Sequence, residues 1–190
     1  MTEQTEHTHL VNLLATLSAR RGQFTLASGK QSTLYVDARL TTMSPEGLIL
    51  IGNLGLKAIR GSWMADSIGG LTLGADPIAY AVAYASALGK SGLLRTVTVR
   101  KEAKKHGAGK LIEGPFQSGD RVVIVEDVIT TGGSALQAIR AVQEAGGVVQ
   151  GVLALVDRQE GGREAIEGAG ISVISLVTAQ ELLPLIPSSQ

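Results

Sequence analysis

The chain has 190 residues, 44% of them hydrophobic, which suits one domain with a sizeable core. Its 17 basic and 17 acidic residues balance, which argues against a globally basic nucleic-acid binder. The absence of cysteine excludes disulfides, thiolate metal sites and cysteine nucleophiles. The amino-terminal stretch is polar and no run approaches about 18 consecutive apolar residues. We therefore expect a cytoplasmic protein with neither a membrane nor a nucleic-acid partner.

The first part of the chain predicts a helix, a pair of short strands and a second helix. Four leucines recur at helical spacing between about His9 and Arg20. The stretches FTLASG and STLYVDAR predict two short strands around a turn at residues 28–30. Ser44 is a suitable N-cap for a helix from Pro45 to about Arg60.

Strands and helices alternate from Ala65 onward. A strand, a glycine-rich loop and an alanine-rich helix reach Gly89, and the strand LLRTVTV follows. The polar stretch from Lys101 to Pro115 predicts a long loop, which in a compact domain is usually functional. The strands RVVIV, VVQGVLALV and ISVISL are continuous aliphatic runs separated by helical segments, a pattern typical of a parallel sheet covered on both faces. We predict a single α/β domain over residues 1–190, with an amino-terminal helix and hood over about 1–40 and the core over about 41–190.

The stretch VVIVEDVITTGGS, residues 122–134, joins an aliphatic strand to two acids and a small polar loop. In parallel α/β sheets, ligands bind outside the carboxyl ends of the strands. Glycines and a helix N-terminus favour a phosphate in the loop. The adjacent Glu126 and Asp127 would repel that phosphate, but they suit sugar hydroxyls or Mg²⁺-bound water. Together these features predict a site for a ribose 5-phosphate.

This stretch resembles the phosphoribosyl pyrophosphate (PRPP) signature of type I phosphoribosyltransferases. The resemblance implies that family's α/β fold, with a central mostly parallel sheet flanked by helices, a small amino-terminal hood hairpin and a flexible catalytic loop. It also implies PRPP contacts from nine consecutive residues: Glu126, Asp127, Val128, Ile129, Thr130, Thr131, Gly132, Gly133 and Ser134. The alternative is an ordinary strand–turn–helix with an acidic approach. The chain lacks the glycine patterns typical of ATP and dinucleotide loops.

The stretch VRKEAKKHGAGKLIEG concentrates positive charge in the predicted long loop. A cationic loop can close over a pyrophosphate leaving group and stabilise its charge. The alternative is a solvated charge run, which would be the better interpretation of an isolated stretch but not of one that accompanies a PRPP signature. It resembles the catalytic loop of orotate phosphoribosyltransferases, which reaches into a neighbouring subunit. The resemblance implies pyrophosphate contacts from Arg100, Lys101, Lys104 and His106, with Lys105 off the pattern, and a homodimer that shares loop 100–110. It implies catalytic roles for Lys101, Lys104, His106 and Asp127.

Arg158 follows the strand in LALVDRQEGG and is expected at the same sheet edge as Asp127. In the orotate enzymes this arginine holds the base, and a guanidinium suits the carboxylate of orotate. The alternative is a surface arginine paired with Asp157 or Glu160.

The stretch FTLASGKQSTLYVDAR resembles the hairpin that covers the base in the orotate enzymes. The resemblance places Leu34 and Tyr35 against the pyrimidine, and Thr130 is a further expected orotate contact. Ala27 stands where some relatives have a PRPP-binding lysine, so that contact is absent unless Lys30 replaces it.

A weaker resemblance involves GGLTLGADPIA, where the family has a second pyrophosphate loop. Backbone contacts from residues 72–74 could serve there, and Asp76 is expected to be a helix cap. Trp63, the only tryptophan, is expected in core or dimer-interface packing.

The resemblance, from Phe24 to Gly162, implies transfer of a phosphoribosyl group from PRPP to orotate, giving orotidine 5′-monophosphate and pyrophosphate. Mg²⁺ is the expected cofactor, held mainly by PRPP with a water-mediated contact to Asp127 and no direct side-chain ligand. The alternatives are a phosphoribosyltransferase for another base and a non-catalytic nucleotide-binding regulator of the same fold.

Overall fold

A computed structural model describes residues 2–25, 31–89, 92–102 and 110–187. The strands are β1 (Ala19–Thr25), β2 (Gln31–Val36), β3 (Ser67–Leu71), β4 (Arg95–Val99), β5 (Ile112–Glu113), β6 (Arg121–Ile129), β7 (Val148–Asp157) and β8 (Val173–Thr178). The helices are α1 (Glu3–Leu17), α2 (Arg39–Thr42), α3 (Pro45–Ser62), α4 (Ala75–Leu88), α5 (Gly133–Glu144), α6 (Gly162–Glu167) and α7 (Ala179–Leu182), and the 3₁₀ turn Leu183–Leu185 follows.

The main sheet has the strand order β5-β4-β3-β6-β7-β8. All neighbouring pairs in it are parallel except β4 with β5. The first two strands form a separate antiparallel hairpin. The predicted mostly parallel α/β fold with an amino-terminal hairpin is therefore confirmed. The short strand β5 lies within the stretch predicted as a loop, so that part of the prediction is wrong.

The sheet is covered on both faces, as the continuous aliphatic strands predicted. Along β6, Val123 and Val125 belong to one buried cluster, which also contains residues of α1, α3 and α4. Val122 and Ile124 belong to a second cluster with residues of α5. All four side chains are at most 1% exposed. Since burying one such side chain contributes about 1.5–3 kcal/mol, this strand is a major source of stability.

Helix α1 begins earlier and ends earlier than the sequence predicted. Thr2 is its N-cap and accepts a hydrogen bond from the Thr5 N–H, while Glu3 and Glu6 favour the positive end of the helix dipole. At the other end, Ala19 already pairs with Val36 in the hairpin. Arg20 therefore belongs to a strand rather than to the helix end that was predicted.

Trp63 directly follows α3 and packs against β7. A side chain on Gly151 would meet the indole ring, since a Cβ there would lie 2.2 Å from Trp63 Cζ2. The indole N–H donates to Ser172 Oγ at 3.2 Å. Trp63 thus packs near the amino ends of the parallel strands, where Gly151 pairs with Val123.

Among the described residues, no helix combines the length and the apolar character needed to cross a bilayer.

Candidate active site

Three neighbouring strands of the main sheet bring three loops together at one edge. The strand β6 lies between β3 and β7, and all three are parallel. The loops that follow them start at Thr72, Thr130 and Arg158. In open α/β sheets this carboxyl edge is where ligands bind.

The acidic pair lies in the wall of a cleft at this edge. Glu126 and Asp127 are inside β6, which continues to Ile129, so the strand is longer than predicted. The cleft has a volume of about 300 Å³. Its lining residues are Tyr35, Val36, Asp37, Ala38, Arg39, Leu71, Thr72, Leu73, Gly74, Lys101, Glu126, Asp127, Val128 and Ser134.

The two acids differ in their surroundings. Burial, and then the neighbouring charge of Asp127, raise the pKa of Glu126 to about 8. Glu126 is therefore mostly protonated at neutral pH in the protein without ligand. Asp127 Oδ1 accepts a hydrogen bond from the Val128 N–H at 2.9 Å. Gly74 leaves room for this carboxylate, because a Cβ at position 74 would lie 2.5 Å from Asp127 Oδ2.

The predicted phosphate loop leads directly into α5. Gly132 is the N-cap residue, with φ 78°, and no side chain caps the helix. A Cβ on Gly132 would also lie 2.8 Å from the Gly162 carbonyl oxygen, so both conformation and space favour glycine. The first backbone N–H groups of α5 are thus left for a ligand, and a helix N-terminus favours an anion. Ser134, in the first turn, reaches the cleft.

The loop after β3 forms another side of the cleft. Its Thr72–Leu73 peptide bond is cis. The Thr72 hydroxyl donates to Asp76 Oδ2 at 2.7 Å, and the Thr98 hydroxyl donates to Asp76 Oδ1 at 2.8 Å. The N-cap position of α4 is Gly74. Asp76 is therefore not the cap that was expected, and instead it ties this loop to β4.

The structure describes residues 100–102 at the start of the cationic loop and residues 110–115 at its end. Lys101 lines the cleft, and its carbonyl oxygen accepts a hydrogen bond from Gln137 Nε2 at 3.1 Å. The Arg100 guanidinium instead lies 3.5 Å from Glu113 Oε1. Lys104, Lys105 and His106 lie outside the described residues, so their roles stay predictions.

Arg158 is next to the site but covered. It follows β7, and its backbone N–H donates to the Ile129 carbonyl oxygen at 3.0 Å. Its side chain is 4% exposed and donates to Ser32 Oγ of the hairpin and to Glu160 Oε1. The sequence alternative of a pair with Glu160 is thus present, but with Arg158 buried under the hairpin and Glu160 partly exposed, rather than as a surface pair.

Of the two hairpin residues predicted to contact the base, one faces the cleft and the other is buried in the core. Tyr35 lines the cleft and packs against Phe24, with ring centroids 5.4 Å apart. The Leu34 side chain is 4% exposed and belongs to the hydrophobic core. Ala27 and Lys30 lie outside the described residues, so a replacement of the missing lysine contact by Lys30 stays a prediction.

Two further residues of the hairpin motif line the cleft, although the sequence predicted no role for them. Asp37 and Arg39 form a bidentate pair, with Arg39 Nε 2.8 Å from Asp37 Oδ1 and Nη2 3.0 Å from Oδ2. The hydrogen bond to Asp37 is the main cause that raises the pKa of Arg39, and Asp127 contributes more weakly. The charged letters after STLYV were the only sequence signal for them.

The oxygen donors of this cleft suit a hard cation only in part. Within the described ranges, no three His, Cys, Asp or Glu side chains are grouped so that they could hold a metal ion. Mg²⁺ commonly binds through one or two carboxylates plus substrate phosphates and water. Asp127 at the cleft wall fits that mode, whereas an all-protein metal cage does not fit the described residues.

A parallel sheet with an acidic pair and an uncapped, glycine-led helix at its carboxyl edge defines a type I phosphoribosyltransferase. Comparison with solved structures agrees. Mycobacterium tuberculosis orotate phosphoribosyltransferase in complex with Fe(III) dicitrate superposes with a TM-score of 0.81 and 40% identity, covering 93% of this chain and 98% of that chain. The same enzyme in complex with PRPP has a TM-score of 0.78, again with 40% identity and with coverage of 93% and 98%.

The sequence comparison identifies the particular family within this class. Orotate phosphoribosyltransferase of Aquifex aeolicus is 50% identical over 160 residues, which are 84% of this chain and 86% of the relative. No protein-family model matches the chain. On these relatives, the chain belongs to the orotate phosphoribosyltransferase family, as the sequence resemblance predicted.

Proposed function

We propose that the protein transfers the phosphoribosyl group of PRPP to orotate, giving orotidine 5′-monophosphate and pyrophosphate. The observation that carries this proposal is the acidic pair of β6 in the wall of a cleft beside the uncapped start of α5. An anion site and a hydroxyl-binding site only a few residues apart suit a ribose 5-phosphate. Membership of the orotate phosphoribosyltransferase family supports orotate as the base.

In this proposal, the loop from Thr130 to Ser134 holds the 5′-phosphate. Backbone N–H groups and hydroxyls donate to the phosphate oxygens, and the helix dipole adds to the attraction. Glu126 and Asp127 bind the ribose hydroxyls, while Val128 and Ile129 contribute backbone and shape. Glu126 can donate its proton to a hydroxyl oxygen, whereas Asp127 can accept a hydroxyl hydrogen.

Pyrophosphate leaves as the bond between the anomeric carbon and its oxygen breaks and a bond to the orotate ring nitrogen forms. Such displacements build positive charge on the sugar. Asp127 stabilises that charge from the ribose side. Lys101, together with Arg100, Lys104 and His106, neutralises the departing pyrophosphate. The bond to the ring nitrogen requires that its proton has left, so the reacting form is orotate deprotonated at that nitrogen, and no side chain is assigned as a strong general base.

Mg²⁺ is the proposed cofactor, held mainly by PRPP with a water-mediated contact to Asp127. When bound, it would supply positive charge that offsets the charge of the leaving group, and Asp127 would hold it through water. Arg158 binds the orotate carboxylate, Tyr35 and Leu34 form the hood side of the base site, and Thr130 is a further orotate contact. Because Leu34 is buried in the core, its contribution is to hold the hairpin that carries Tyr35.

We further propose that the protein is a cytoplasmic, single-domain homodimer in which loop 100–110 reaches the partner's site. An apolar groove of about 430 Å³ between α3 and α4 supports a second copy as its occupant. Ile49, Tyr84 and Leu88 are 62%, 68% and 66% exposed there, which is unusual for large apolar side chains on one face.

Two experiments test this assembly. Ile49→Lys should shift the sedimentation coefficient to that of a monomer, whereas Arg140→Glu, on α5 across the sheet, should not. Mixing the inactive variants Lys104→Ala and Asp127→Asn should restore activity if loops are exchanged, whereas Lys101, which lines the same cleft as Asp127 of its own chain, is not suited to this test. Absence of recovery after proven subunit exchange would mean that each site is completed within one chain.

A single assay tests the reaction. The protein is incubated with Mg²⁺, PRPP and one base at a time, and the absorbance of orotate is followed. We expect the orotate signal to fall only when PRPP is present, with stoichiometric pyrophosphate release. Consumption of uracil or a purine instead would identify another base. PRPP binding without transfer to any base would identify a non-catalytic relative.

A further inference from the structure

Arg158 reaches its two side-chain partners through a single nitrogen. Nη2 donates both to Ser32 Oγ and to Glu160 Oε1, the latter at 2.8 Å. The Nε atom is buried, and among the described residues it has no hydrogen-bond partner. One edge of a buried guanidinium is therefore incompletely used, which is costly for a charged group.

Counting donors shows what a bound carboxylate would require. An arginine has one hydrogen on Nε and two on each Nη, and a bidentate carboxylate takes one hydrogen from each of two nitrogens. Either bidentate edge, Nε with Nη2 or Nη1 with Nη2, includes Nη2. Nη2 already donates to Ser32 Oγ and to Glu160 Oε1, which lie 3.1 Å from each other and together occupy the space beside it. A bidentate substrate carboxylate must therefore displace one of these two partners.

Glu160 is the partner that can leave. The Ser32 hydroxyl is neutral and is held within its own hairpin, where its oxygen accepts from the Leu34 N–H at 3.3 Å and lies 3.1 Å from the Leu34 carbonyl oxygen. It also contacts Glu160 Oε1 at 3.1 Å, and on departure of Glu160 it can donate to the Leu34 carbonyl oxygen or to the substrate carboxylate instead. Glu160 is anionic, so an incoming carboxylate repels it. Its side chain is 27% exposed and has a route to water, where its charge is solvated.

We propose that Glu160 is a displaceable internal carboxylate that occupies Arg158 in the empty site and sets the affinity for orotate. This inference rests on the proposed function, because it assigns the substrate carboxylate to Arg158. Glu160 keeps the buried guanidinium neutralised until the substrate arrives. Orotate must exchange with it, and part of its binding free energy is lost in that exchange. A base without a carboxylate leaves the Arg158–Glu160 pair intact and does not lose binding free energy in this way. Glu160 therefore lowers the ratio of kcat/KM for orotate to that for uracil.

The test compares Glu160→Gln and Glu160→Ala with the parent. A hydrogen bond to an amide is weaker than one to a carboxylate by about 1 kcal/mol, which corresponds to a fall of about fivefold in KM for orotate. KM for PRPP should not change, and the ratio of kcat/KM for orotate to that for uracil should rise. Glu164→Gln is the matched control. Glu164 lies four residues after Glu160, is exposed on α6, and loses the same charge in this variant.

If Glu160 only orients Arg158 or supports the loop, its substitution should raise KM for orotate instead of lowering it. If both Glu160 variants raise KM for orotate or leave it unchanged while the parent is active, the displacement is wrong. An equal fall in KM for orotate in Glu164→Gln would show that any loss of negative charge near the site has this effect, and it would also contradict the displacement of Glu160. A parent that does not use orotate at all refutes the proposed function itself, which distinguishes the two failures.

Discussion

The charged residues at the two ends of strand β6 have opposite surroundings: those at the amino end form an ion pair, and those at the carboxyl end do not form one with any described residue. At the amino end, Arg121 donates to both carboxylate oxygens of Asp66, at 2.9 and 2.7 Å, and its backbone N–H adds a third hydrogen bond. These contacts hold the pKa of Asp66 well below its usual range. At the carboxyl end, Glu126 and Asp127 form no ion pair with any described residue, and the pKa of Glu126 is raised.

The difference separates a stabilising end of the sheet from a binding end. The ion pair stabilises the folded state, whereas two neighbouring, partly buried carboxyl groups without an ion-pair partner among the described residues destabilise it when both are charged. Groups with strongly shifted pKa values in a cleft are typical of functional sites, since ligand binding can supply the missing partners. The same strand thus contributes stability at one end and gives some of it up at the other.

The largest expected effect comes from removing charge at the binding end. Asp127→Asn keeps the size of the side chain but loses the carboxylate proposed to bind ribose and stabilise its developing charge. We expect kcat/KM for PRPP to fall by about 100- to 1,000-fold, as for other electrostatic groups in active sites. Asp66→Asn serves as the control and should retain near-parental kinetics. Parental PRPP kinetics in the Asp127 variant would remove it from the site.

The second effect is on stability and depends on pH. The pKa of Glu126 is about 8 in the folded protein against 4.5 in the unfolded chain, so the folded state loses stability as pH rises between these values. Glu126→Gln removes that penalty. In the absence of ligand, we expect the variant to gain about 2–4 kcal/mol in unfolding free energy at pH 8 and little at pH 5. Denaturant unfolding at both pH values measures this, and a gain independent of pH would contradict a titrating Glu126.

The smallest effect belongs to the paired end. Asp66 and Arg121 are both partly exposed, so we expect Asp66→Asn to cost about 1 kcal/mol in unfolding free energy at pH 7. Because the pKa of Asp66 is lowered on folding, its contribution is present above the unfolded value and is lost as pH falls below about 4. The difference between parent and variant in thermal unfolding should therefore shrink steadily as pH is lowered below the unfolded value of Asp66, towards its much lower folded value. A difference that stays the same at every pH would point to packing rather than charge.

The sheet and the family could be predicted from the sequence because both depend on contiguous residues. Runs such as RVVIV carry the burial signal of a doubly covered strand, and VVIVEDVITTGGS carries the whole strand–loop–helix unit. The contacts proposed for PRPP along that unit stay predictions, as does the part of the cationic loop outside the described residues.

Long-range contacts account for what sequence reasoning missed. The full extent of β6 depends on pairing with β7, where Ile129 faces Asp157. The cover on Arg158 depends on Ser32, 126 residues away in the chain. Asp37 and Arg39 become cleft residues only when the end of the hairpin meets the carboxyl edge of the sheet. Local sequence patterns contain no information about these contacts between distant parts of the chain.

The position of Trp63 makes the chain its own fluorescent reporter. It is the sole tryptophan, and it packs on Gly151 near the amino ends of the strands, away from the cleft. Emission from that indole should follow loss of packing between α3 and β7 during unfolding. Ligands bound at the carboxyl edge do not touch it, so the same signal gives a baseline for folding that substrate contact leaves undisturbed.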